Sequence, residues 1–398
     1  MIQTLPAAAN QSSLFARALQ FASRLCGPVL AHGVSFWQLG ECNYWGHNAI
    51  IRTRAFIDHC GLPPLRGRPP LGGEILSHDF VEAALLRRAG DGVYFVPDFD
   101  GSYEELPNNI IDYATRDRRW CQGNLQHLKI LGMRGTHPIS RLNLLLGAYA
   151  YLSSPVWILF LLLSTAQMVG ETVIGHAYFP EGYALFPEWP ESMLAETVSL
   201  FGVTMAMLLL PKAFGFVLAL ADGAQRRRFG GGVRLSLSLL LETVFSVLMA
   251  PVMGVLHSWF VMSLLFGRGV GWAPQNRSTR GLRAREAFSA LGLVFAAGVA
   301  WGLLILMAAP DRIWWVLPVL AGLVLSIPLA VLSSRDSVGL WLRRRGLLLT
   351  PEESEPPTVL RYLRAALARH RAQPIVPVPA TGPLTPPAAP TEMLQQAI

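Results

Sequence analysis

Asp79 lies in GGEILSHDFVEAALLRRAG (72–90), directly after a serine–histidine pair and ahead of an apolar run. Two chemistries suit a carboxylate in that place. An aspartate before an apolar-periodic segment is the usual helix N-cap, and Glu82 three residues later completes a capping-box-like pattern. The same carboxylate, held where a loop meets a rigid element, can act as the base of an active site. Further on, Arg118, Arg119 and Trp120 form a basic, aromatic cluster near a long apolar run, which taken alone reads as a juxtamembrane anchor. Asp98 and Asp100 flank Phe99 in the spacing of a metal-binding pair, but they precede Gly101-Ser102-Tyr103, where aspartates commonly make turns. His47, His78, His127 and His137 are scattered without the spacing of metal ligands.

The elements able to position these residues are of two kinds. Over 1–140 the chain reads as mixed α/β. Helices are predicted over 14–26, 79–89 and 107–131, with a short strand over 49–52 entering a helix that ends at Gly61, and a strand over 93–99. Such alternation predicts about half of a parallel-sheet domain. From residue 142 the character changes. Apolar runs cover 142–169, 195–220, 235–266, 288–309 and 313–332, and several reach the roughly 20 residues needed to cross a bilayer. A composition of 52% hydrophobic against 15% charged residues is wrong for an ordinary soluble protein. The four cysteines, Cys26, Cys42, Cys60 and Cys121, precede these runs with no CxxC pair. They suit a reducing compartment and suggest neither a disulfide framework nor a zinc site. The opening MIQTLPAAANQSS has no basic segment followed by an apolar one, so it does not read as a signal peptide.

The net charge of +7 does not point to nucleic acid, because the basic residues cluster beside the apolar runs. Loops 221–234, 267–286 and 333–346 are rich in arginine, whereas 170–194 has no Lys or Arg and several Glu. The positive-inside rule places the three basic loops in the cytoplasm and the acidic one outside. Runs 142–169, 195–220, 288–309 and 313–332 are then crossings. Run 235–266 has basic flanks on both sides and contains Glu242, Pro251 and His257, so it is expected not to cross but to lie at the cytoplasmic interface, or dip in and return, as an interfacial helix pair. The soluble domain (1–140) and the tail (336–398) are both cytoplasmic on this reading. The tail holds a short basic helix over 357–372 and a Pro/Ala-rich stretch expected to be disordered from about 373.

In order, the chain shows YWGHNAIIR, GGEILSHDF, GSYEELP and RDRRWCQGN, then apolar helices. This succession resembles the second half of the processive family-2 glycosyltransferases, the group containing cellulose and hyaluronan synthases, and covers about 1–350. The resemblance implies a partial GT-A-like α/β domain followed by an α-helical transmembrane domain. It makes Trp45, Gly46, His47 and Asn48 an acceptor loop. Asp79 matches the aspartate of a Thr-Glu-Asp triplet, the base that deprotonates the acceptor hydroxyl. Arg116, Arg119 and Trp120 match a Gln-x-x-Arg-Trp motif that binds diphosphate and acceptor sugar, with Arg116 where the family has Gln. His78 likewise stands where the family has Glu. Trp272, Gln275 and Arg277 occupy the place of a gating loop.

The wording around Asp79 and Trp120 is closest to the branch that makes osmoregulated periplasmic glucans. That implies glucose transfer from UDP-glucose to a β-1,2-glucan backbone, coupled to export across a bacterial inner membrane. It also implies Mg²⁺, whose ligands and the uridine-binding aspartates would lie before Met1, so the chain reads as the C-terminal portion of a longer enzyme. Acyl carrier protein and a periplasmic glucan-processing protein are further partners that the resemblance implies. Synthesis of another polysaccharide such as cellulose, or a non-enzymatic transporter or channel, are the alternatives.

Overall fold

The chain opens on two short strands, β1 (Ile2–Thr4) and β2 (Ala7–Ala8), followed by helix α1 (Leu14–Gln38). Next come β3 (Ala49–Ile50), α2 (Thr53–His59), α3 (His78–Arg88), β4 (Tyr94–Val96), β5 (Tyr103–Glu104) and α4 (Ile110–Gln126). The computed structural model describes residues 1–174, 186, 193–271 and 280–372. Trp272, Gln275 and Arg277, most of the acidic 170–194 loop and the proline-rich tail from 373 lie outside them.

β1 is the middle strand of the order β3-β1-β4, antiparallel to β3 and parallel to β4, and β2 pairs parallel with β5. The expected alternation of strands and helices is present over 1–140. Among the described residues no strand exceeds three residues, however, so these are mostly helical and the sheets are too small to define a GT-A-like architecture.

Ser13 starts α1: its hydroxyl accepts from the Ala16 N–H at 3.2 Å and donates to the Asn108 carbonyl at 2.6 Å. The helix expected over 14–26 continues through Pro28 to Gln38. Leu14, Phe15, Ala18, Phe21 and Leu25 form one buried stripe. Beyond Pro28, Ala31 lies on another face and is buried with Cys42, Leu86 and Val93, so packing holds the helix on both sides of the proline.

The apolar half is built from α5 (Pro138–Ile174), α6 (Leu194–Ala221), α7 (Gly223–Arg228), α8 (Gly232–Leu265), α9 (Ala284–Ala308), α10 (Ile313–Val324) and α11 (Ser326–Ser333). α5, α6, α8 and α9 are each long and apolar enough to cross a membrane, and α10 with α11 forms a further candidate bent by 54°. Leu162, Phe201, Met207 and Leu293 are exposed on them, a belt of side chains that water would disfavour and lipid would not.

One expectation is corrected here. In place of a helix pair over 235–266 the chain forms a single 34-residue helix, α8, with Pro251 inside it. Phe245, Met249 and Val252 are buried on both sides of the proline, and the Leu248 carbonyl and Pro251 ring pack against Gly322 of α10. That packing holds the helix together across the break. α8 is tied to the amino-terminal part at two points. Near its middle the Phe245 ring meets Phe15 of α1 edge-on at 6.1 Å. Near its end His257 Nε2 lies 2.5 Å from Asp117 Oδ2 on α4.

Two further helices, α12 (Asp336–Arg344) and α13 (Pro351–Ser354), belong to the same unit, which spans Met1–Glu355. The tail expected from 336 therefore begins later. The reason is a buried ion cluster: Arg17, fully buried in α1, binds both carboxylate oxygens of Glu353 at 2.6 and 3.0 Å, and Arg24 binds Glu352 at 2.6 Å. A second unit spans Pro356–Ile398 and contains α14 (Thr358–Ala372).

Candidate active site

Asp79 sits in the first turn of α3, one residue past its start. The capping reading is corrected in detail: Ser77 holds the N-cap position, and Glu82 pairs with His78 at 2.8 Å in place of closing a capping box. The Asp79 carboxylate faces the WGHN loop instead. A methyl group at Gly46 would stand 3.0 Å from Asp79 Oδ2, and Gly46 has φ +88°, which favours glycine. Burial raises the Asp79 pKa above the ordinary carboxylate value, against the lowering effect of backbone N–H groups at the start of α3 and of His78. A desolvated carboxylate with a raised pKa is a better proton acceptor than one in water.

The rest of the WGHN loop is held from the β1 side. The Trp45 N–H donates to Gln3 Oε1 at 2.8 Å, and its ring meets Phe95 edge-on at 5.0 Å. Asn48 donates to Ser102 Oγ at 2.8 Å, and Thr4 Oγ1 lies 2.6 Å from that same hydroxyl. His47 lies 3.7 Å from Glu104. The GSYEELP stretch is thus a wall of the site, and Thr4, Gln3 and Ser102 are supports that motif reading missed.

Helix α4 forms the other wall. Asn109 caps it, accepting from the Ile111 and Asp112 N–H groups at 3.0 and 2.9 Å. Arg116 lies over the Trp120 ring at 4.5 Å and near the Tyr113 ring at 5.5 Å. Burial lowers the Arg116 pKa, and the neighbouring Tyr113, Glu104 and Asp117 oppose the shift. Its Nε is buried with no hydrogen-bond partner among the described residues, as is that of Arg118. Trp120 is exposed on one face. Asp117 between them is occupied structurally, accepting from Tyr151 OH at 2.9 Å and meeting His257 at 2.5 Å.

The carboxyl-terminal half of α4 positions the loop that leads to Asp79. Gly123 abuts Ser77 so closely that a side chain there would collide. His127 is fully buried and donates from Nε2 to the Ser77 carbonyl at 2.9 Å. Burial pushes its pKa down to about 4, so it is neutral at pH 7. Gln126 donates to the Pro70 and Glu74 carbonyls at 3.2 and 3.0 Å and accepts from the Leu76 N–H at 3.0 Å. Gln122 also donates to Pro70 O, at 2.9 Å, and accepts from the Val270 N–H at 2.8 Å. Their i, i+4 and i+5 spacing in RRWCQGNLQH was the available signal that one helix face holds this loop.

Two further residues make no polar contact with these groups among the described residues. Arg119 is partly exposed and makes no hydrogen bond or ion pair among the described residues. Asp98 pairs with His32 at 2.8 Å on the surface, in keeping with a turn. Among the described residues no group of three or more His, Cys, Asp or Glu side chains converges as metal ligands, so these residues do not offer the oxygen cage that Mg²⁺ needs.

A carboxylate against a glycine-bearing loop, with an arginine–tryptophan stack on the helix that also holds the loop before that carboxylate, fits transfer to a hydroxyl acceptor. The chain belongs to the glycosyl transferase family group 2, whose sequence profile matches residues 20–218. Its relatives include proteins named glucans biosynthesis glucosyltransferase H. That of Pseudomonas aeruginosa (strain LESB58) is 46% identical over 91% of this chain and 42% of its own length. That of Ralstonia nicotianae is 45% identical over 97% of this chain and 44% of the relative. That of Vibrio cholerae serotype O1 (strain ATCC 39541 / Classical Ogawa 395 / O395) is 46% identical over 92% of this chain and 51% of the relative. The chain therefore spans about half the length of these curated relatives.

Proposed function

We propose that this chain forms the acceptor side of a membrane glucosyltransferase that moves glucose from UDP-glucose to a growing β-1,2-glucan, the backbone of osmoregulated periplasmic glucans. The observation that carries the reading is the desolvated Asp79 carboxylate set against Gly46 of the WGHN loop. The relatives' shared name supports glucan as the product.

In the reaction, Asp79 takes the proton of an acceptor hydroxyl as its oxygen attacks the anomeric carbon of the donor glucose. The new glycosidic C–O bond forms on one face while the bond to the UDP β-phosphate oxygen breaks on the other, so configuration inverts. Arg116 and Arg119 balance the charge of the departing diphosphate, as guanidinium groups suit phosphate oxygens. The exposed Trp120 face stacks the acceptor sugar, and the WGHN loop orients its hydroxyls.

The organisation proposed is a cytoplasmic transferase domain over 1–140 and a membrane domain over 141–335 in a bacterial inner membrane. Crossings are α5, α6, α9 and the α10–α11 pair. α8 lies at the cytoplasmic face: both of its flanking loops are rich in arginine, and Phe245 and His257 meet α1 and α4 of the amino-terminal part. The growing glucan passes outward between the crossing helices.

Glucosyl transfer from UDP-glucose, measured in membranes expressing the intact gene product, tests the reading. Asp79→Asn is expected to abolish transfer while leaving expression intact. Unchanged transfer would overturn it, and linkage analysis of the product separates a β-1,2-glucan from cellulose.

A further inference from the structure

We propose that α14 is a surface helix that docks on anionic lipid headgroups. It reads TVLRYLRAALARHRA, with four arginines and no acidic residue. At 3.6 residues per turn, Val359, Tyr362, Leu363 and Leu367 share one stripe, Arg361 and Arg364 lie opposite, and Arg369 borders it. The stripe is exposed at 50% for Val359, 69% for Tyr362, 41% for Leu363 and 42% for Leu367.

An apolar stripe flanked by cations needs a partner that is apolar and anionic together. An anionic bilayer surface offers phosphates at the level of the arginines and acyl chains beneath them. A nucleic acid would satisfy the arginines and leave the leucines in water. The lipid choice rests on the membrane reading above, since α5, α6 and α9 are long and apolar enough to hold the chain in a bilayer.

The test reconstitutes the whole chain in nanodiscs of phosphatidylcholine, with or without phosphatidylglycerol. A nitroxide is attached at Leu363→Cys, and in a second preparation at Val359→Cys; the four native cysteines are buried and stay unlabelled. The ratio of collisions with oxygen to collisions with a neutral nickel chelate reports immersion. It is expected to be at least about threefold higher in the anionic discs, and to lose that difference in Arg361→Gln/Arg364→Gln/Arg369→Gln or at high salt. Equal ratios in the two compositions would overturn the proposal. So would low nickel access in both compositions that the triple variant leaves unchanged, since protein would then be covering the stripe. A chain that does not enter the discs at all would overturn the membrane reading first, and this proposal with it.

Discussion

Gly46 and Asp79 meet although the sequence separates them by a strand, a helix and a long loop: a methyl group on Gly46 would stand 3.0 Å from Asp79 Oδ2. The contact makes a glycine of the WGHN loop one face of the carboxylate's pocket. Gly46→Ala is expected to cut glucosyl transfer at least tenfold through two effects. Its methyl group crowds the carboxylate, and φ +88° strains any L side chain by about 1–2 kcal/mol. Thermal unfolding should shift by only a few degrees, so activity and stability measured together check the assignment.

The raised pKa of Asp79 has two consequences of opposite kind. The base works only when ionised, so the acid limb of transfer is expected above the ordinary carboxylate range, and a pH–rate profile locates it. For stability the sign runs the other way. A carboxylate whose folded pKa is raised above its unfolded value binds protons more tightly when folded, so its contribution to stability declines as pH rises through that window. Asp79→Asn is therefore expected to unfold at the same or a higher temperature than wild type at pH 7, despite losing activity.

His127 titrates with the opposite linkage. Its folded pKa is lowered from 6.5 to about 4, so the unfolded chain takes up a proton first as pH falls. Stability is expected to drop between about pH 6.5 and pH 4 for this reason. His127→Gln keeps a donor for the Ser77 carbonyl and removes the titration. Unfolding measured at pH 7.5 and pH 5 should show a smaller pH difference for the variant than for wild type.

Glu353→Ala would leave Arg17 charged and fully buried beside an absent partner. Breaking such a buried pair costs about 3–5 kcal/mol, so a lower unfolding temperature and protease access to 346–355 are expected. Arg24→Ala removes only the partly exposed guanidinium from Glu352 and should cost markedly less, on the order of 1 kcal/mol.

Asp117 and His257 connect the wall of the site to α8. His257→Ala removes the α8 partner of Asp117 and leaves Tyr151 alone to satisfy it. The loosened α4 is expected to bind acceptor less well, raising KM for acceptor more than it lowers kcat. An unchanged KM would show that α4 is positioned without this link.

Local signals carried much of what could be read in advance. Asp79 beside an apolar-periodic run, the Arg-Arg-Trp cluster and the apolar runs from 142 onward are features of neighbouring residues, and the structure places them on helices, with one helix over 235–266 where a pair was expected. The strands shrank to two or three residues and α1 overran Pro28, because tertiary burial sets where a marginal element ends.

The amino-acid sequence by itself determined the carboxylate, the basic–aromatic helix and the helices apolar enough for a bilayer, since side-chain type and period act over a few residues. Only the tertiary structure decided that Gly46 faces Asp79, that Gln122, Gln126 and His127 hold the loop before α3, and that Arg17 locks 346–355 to α1. Those contacts depend on loops whose course no local periodicity encodes. The same holds for α8: a proline's local cost is about 3 kcal/mol, and whether it splits a helix is settled by what packs around it, here Gly322 of a helix some seventy residues away.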